Sequence, residues 1–132
     1  MLKIRQAQMD QMQEQVVEKN FVRRVIEFVR AEFPKDIAKY PEERWQTMVV
    51  NGLSRARHYG ISYEASSAEF VALMFHYAPN FDEYAPIQAI LTDPEVPPDA
   101  RIKLLDDCTL AEDWAVVQAR ADLNAWNIHF GA

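Results

Sequence analysis

Residues 43–60 are ERWQTMVVNGLSRARHYG, and the Asn51-Gly52 pair at their centre poses the choice that decides the fold. Asn-Gly is the strongest short hairpin signal, but only between alternating apolar and polar runs. The flanks here do not alternate. Trp45, Val49, Gly52/Leu53 and Ala56 recur at helical spacing. Gly52 is therefore expected inside a helix, as a close-packing point costing ~1 kcal/mol relative to Ala. The ends of the stretch agree. Pro41 suits a first helical turn, and Glu42 and Glu43 suit the positive end of the helix dipole. Arg55, Arg57 and His58 suit the negative end, and Gly60 is a left-handed stop. The pattern predicts a helix over about 41–59.

The same periodicity extends in both directions. Toward the N-terminus it predicts a long helix over about 4–32, roughly 43 Å at the α-helical rise. Its second half, FVRRVIEFVRAEF, is strongly amphipathic, whereas QAQMDQMQEQ in its first half turns only Met9 and Met12 inward. Toward the C-terminus the expected elements are a helix over about 63–77 capped by Ser62 or by the SSAE box at 66–69, and a short helix over about 86–91. A further helix is expected from Pro98, and a last one over about 112–130. The seven prolines fall at segment edges, where a residue that cannot donate in the helix ladder belongs. The expected architecture is all-α: one domain over 1–132, a bundle of five to six helices joined by short loops.

Composition excludes several classes. Net charge is −6, and residues 82–132 carry ten Asp/Glu against three Lys/Arg. That balance repels phosphate backbones and argues against nucleic acid. Apolar runs fall far short of the ~20 residues of a membrane span. The opening MLKIRQAQMDQMQEQ lacks the apolar core of a secretory signal, and Cys108 is the only cysteine, so a reducing cytoplasm is the expected compartment.

Chemistry has few candidates. YAPNFDEYAP, residues 77–86, gathers Asn80, Asp82 and Glu83 among aromatics. It lacks the glycine and length of a calcium loop. A structural corner plugged by Phe81 and Tyr84 is one reading, and a partner surface of Asp82, Glu83 and Tyr84 is another. The three histidines sit near helix ends, without metal-ligand spacing. Cys108 lies beside two aspartates, which disfavour a thiolate, and is expected to be an inert, semi-buried thiol. No metal, no cofactor and no catalytic group is assigned. An enzyme would need a site assembled in space from Asp82, Glu83 and His76. Met9 and Met12, with Arg5 nearby, are the other candidate contacts, because flexible thioethers on a polar helix suit adaptable binding.

Three phrases stand in order along the chain. They are Ile4, Arg5, Gln8 and Met9; Arg55, Ala56, Tyr59, Gly60 and Ile61; and Leu73, Met74, Phe75, Pro79, Phe81 and Asp82. Together the chain resembles a group of small, uncharacterised all-helical bacterial proteins encoded beside type VI secretion spike and effector genes. The resemblance implies a cytoplasmic, non-enzymatic accessory protein that binds a secreted effector or spike component as adaptor or chaperone. An immunity protein against a cytoplasm-acting toxin is the alternative. A homodimer through the N-terminal helix is compatible with either.

Overall fold

The computed structural model describes residues 19–130, and they form an all-α bundle with no strand among them. Residues 19–32 are helical (α1), followed by a single turn at Pro34–Ile37 (α2). The central pair is α3 at Glu42–His58 and α4 at Glu64–His76. A 3-10 turn at Phe81–Glu83 leads into α5 at Ala85–Leu91. A second 3-10 turn at Pro98–Ala100 runs into α6 at Arg101–Cys108, and α7 spans Ala111–Ala119. A third 3-10 turn at Leu123–Asn127 closes the described chain.

The Asn51-Gly52 pair lies inside α3, as the spacing predicts. A Cβ on Gly52 would stand 3.1 Å from Met74 Sδ and 3.1 Å from a Val71 methyl on α4. The missing side chain lets α3 and α4 approach closely. Asn51 is buried and donates to the Trp126 carbonyl at 2.8 Å, so its amide anchors the final turn instead of making a hairpin. Gly60 ends α3 at φ 84°. Its N–H donates to the Arg57 carbonyl and that of Ile61 to the Ala56 carbonyl, at 2.8 and 3.2 Å. This is the Schellman pattern, and Ala56 and Ile61 supply its buried apolar contact.

Two ends differ from expectation. Helix α4 is capped neither by Ser62 nor by a box at 66–69; Ser66 and Ser67 are buried within it. Asp99 reaches across from the second 3-10 turn instead. Its Oδ1 accepts the Ser62 and Tyr63 N–H groups at 3.0 and 2.8 Å and the Ser66 hydroxyl at 2.6 Å. Burial alone would raise this carboxyl, but these hydrogen bonds outweigh it and hold Asp99 below the ordinary aspartate value. The last helix ends at Ala119 rather than near Phe130. Asn and Asp side chains there compete with the helix ladder. Asn80 donates to the Arg120 carbonyl at 3.2 Å and accepts the Asp122 N–H at 2.9 Å, and Asp122 accepts the Asn124 N–H at 3.0 Å. The turn they make delivers Trp126 into the core, where its ring packs 4.5 Å from Phe75.

One buried charge organises the α5–α6 connection. Arg101 donates to the carbonyls of Leu91, Asp93, Val96 and Tyr59, at 2.6, 2.8, 3.0 and 3.2 Å. These are the ends of α5 and α3 and the loop between α5 and α6. Their carbonyls supply the negative potential that a buried guanidinium needs.

Candidate functional site

Arg55 and Tyr59 are four residues apart and share one face of α3. Both meet Asp82. Arg55 Nε donates to Asp82 Oδ1 at 2.8 Å, and the Tyr59 hydroxyl donates to Oδ2 at 2.7 Å. Each charged side chain is only 3% exposed. Burial raises the Tyr59 hydroxyl far above the usual phenol value, and the charge of Asp82 adds to the effect, so Tyr59 stays a protonated donor. The guanidinium lies 5.1 Å from the Phe130 ring centroid, and Arg55 Nη1 is buried with no hydrogen-bond partner among the described residues. Both carboxylate oxygens of Asp82 are thus taken by donors within the core. Asp82 is corrected from a partner-facing residue to the buried member of an ion pair.

The three groups of the spatially assembled site go to two places. Asp82 and Glu83 turn to Arg55, the second through Nη2 at 3.5 Å. His76 pairs instead with Asp36, its Nδ1 2.8 Å from Oδ2, and stacks on Phe33 at 4.1 Å. His58 and His76 end α3 and α4, whereas His129 lies beyond the last turn. Among the described residues, no group of three or more His, Cys, Asp or Glu is arranged to hold a metal. Cys108 is exposed rather than semi-buried. Arg5, Met9 and Met12 lie outside the described residues.

The outward side of the same corner has a different character. The Glu83 side chain is 60% exposed. The half-buried Tyr84 donates to Asp113 Oδ1 at 2.9 Å, and that bond pushes its hydroxyl pKa up. Asp113 uses its other oxygen to accept the Leu110 N–H at 3.2 Å. The corner therefore runs along α7, tied at the start by Tyr84–Asp113 and at the end by Asn80–Arg120. Between the ties is a cleft of about 260 Å³, lined by Glu83, Tyr84, Val117 and Arg120 among others. Just outside each tie stands a large aliphatic side chain in solvent: Leu110 and Leu123, each 59% exposed.

No family model, curated protein or solved structure matches the chain. The site rests on its geometry alone. Sequence reasoning found Glu83 and Tyr84 but missed Leu110, Leu123 and Arg120. Leu110 lies before the expected last helix and Leu123 falls off its apolar face, so the helical period marks neither. Among the described residues, no helix is long and apolar enough to cross a membrane.

Proposed function

We propose that the chain is a non-enzymatic accessory protein that binds a protein partner through the face made by the 80–85 corner and α7. The observation that carries this is the cleft lined by Glu83, Tyr84 and Arg120, together with two exposed leucines on the same stretch of chain, Leu110 just before α7 and Leu123 in the turn after it. Apolar anchors beside a charged and aromatic rim are the anatomy of a protein interface. The partner class comes from the resemblance of the three phrases: a type VI secretion effector or spike component, with the chain acting as adaptor or chaperone. The engagement of both Asp82 oxygens, and the placement of His76 on Asp36, favour this over an enzyme.

The test is co-purification of the tagged chain with the effector and spike proteins encoded beside it. Replacing both Leu110 and Leu123 with Asp is expected to abolish recovery while leaving the helical circular dichroism unchanged. Equal recovery with the folded double variant overturns the assignment of the face. Rescue of growth against a co-expressed effector would mark the immunity role.

A further inference from the structure

A second surface lies on the side formed by α1, α4 and α6. Phe28 and Phe33 at the end of α1, Leu73 on α4 and Ile102 on α6 floor a groove of about 230 Å³. Its rim holds three carboxylates, one from each helix: Glu32, Glu69 and Asp106. No lysine or arginine among the described residues lines it. Some other carboxylates are paired, as Glu64 is with Arg24 and Asp36 with Lys39 and His76. Among the described residues, Glu32, Glu69 and Asp106 have no ion pair or side-chain hydrogen bond. Partial burial raises the Glu69 carboxyl, and the charge of Asp106 raises it further. These like charges stand beside an apolar floor without a counter-ion among the described residues.

That combination selects its occupant. An apolar floor edged by carboxylates is complementary in charge and character to a cationic side chain with an aliphatic stem. A lysine or arginine lays an aliphatic stem on apolar surface while its charged head reaches the rim. We propose that this groove docks a basic amphipathic segment of a partner protein. One cationic side chain crosses the Phe33–Leu73 floor and places its charge between Glu69 and Asp106. The site is separate from the α7 face and does not depend on that assignment.

The experiment is an isotope-edited NMR titration of the full chain with two synthetic helical peptides. One carries leucines at every fourth position flanked by arginines, and the other has each arginine replaced by glutamate. The arginine peptide is expected to shift the amides around Leu73, Ile102 and Asp106, and the glutamate peptide to shift nothing. Glu69→Gln with Asp106→Asn is expected to weaken binding at least tenfold, with the spectrum otherwise showing a folded chain. Asp106→Asn alone, a change at an exposed position, should give an intermediate loss. Binding that is absent, equal for the two peptides, centred on α7 or indifferent to the substitutions overturns the proposal. So does a groove already filled without peptide, seen as contacts from Lys3 or Arg5 of the same chain or as concentration-dependent shifts from a second copy.

Discussion

Replacing Asp82 with Asn is the sharpest probe of the core. The side chain keeps its size, but one of its two acceptor oxygens becomes an NH2 donor and the charge opposite Arg55 is gone. Arg55 is 97% buried by its side-chain exposure of 3%, so water cannot take over the lost role. Breaking a buried pair from one side costs about 3–5 kcal/mol, because an uncompensated charge remains in a low-dielectric interior. Domains of this size have a total stability of about 5–15 kcal/mol, so the variant should lose a large fraction of it. Arg55 Nη1 already lacks a partner among the described residues, which leaves little slack for rearrangement. Urea denaturation followed by tryptophan fluorescence reads the effect as a lower midpoint at unchanged slope. Glu83→Gln is the internal control, since its side chain is 60% exposed and 3.5 Å from the same guanidinium. Exposed pairs contribute about 0–1 kcal/mol. A loss below about 1 kcal/mol for Asp82→Asn, or equal losses for the two variants, would refute the account of a water-excluded pair. Removing both charges with Arg55→Met and Asp82→Leu should recover much of the loss, as hydrophobic replacement of buried pairs often does.

Other outcomes follow from single positions. Gly60→Ala should cost about 1 kcal/mol or more in thermal unfolding, because φ 84° is unfavourable with a Cβ and Pro98 Cγ would stand 3.2 Å away. Gly52→Ala should cost about 1–3 kcal/mol through overpacking against Val71 and Met74. Asp99→Asn should lower stability at neutral pH by about 0.5–2 kcal/mol, the range of a lost helix cap. The folded Asp99 carboxyl is held below its ordinary value, so its contribution is complete above the ordinary aspartate range. It disappears as pH falls through the lowered value, and acid denaturation curves of variant and wild type should converge there. Glu69→Gln should stabilise the chain slightly at neutral pH, with the gain vanishing in acid, because the folded Glu69 carboxyl is raised by burial and Asp106.

The helical period made the architecture legible wherever one apolar face persists for several turns. That is why the Asn51-Gly52 stretch and the Gly60 stop were readable. What escaped was set by contacts distant in sequence. The cap of α4 is an aspartate 36 positions beyond Tyr63, and no local motif announces it. The early end of α7 depends on Asn80, which competes for backbone groups 40 and 42 residues away. The acidic corner was half readable. Phe81 in the core and Glu83 in solvent fit the pattern, but the burial of Asp82 depends on Arg55, a residue that suits a helix C-terminus equally well on its own. The phrases holding Arg55, Tyr59 and Asp82 do meet in space, which accounts for those three residues by packing without reference to a ligand.

Arg101 ties the order of assembly to a single side chain. The loop between α5 and α6 has no ladder of its own, and its Asp93 and Val96 carbonyls are held by a guanidinium further along the chain. The same group closes the end of α5 and touches the end of α3, 42 residues earlier. These three backbone segments therefore share one latch, released when α6 lifts away. Amide exchange should find the end of α5, the loop and the start of α6 opening together as a cooperative unit. Arg101→Lys keeps the charge but cannot span four carbonyls with one ammonium, so the unit should open at lower free energy while the α3–α4 pair stays protected.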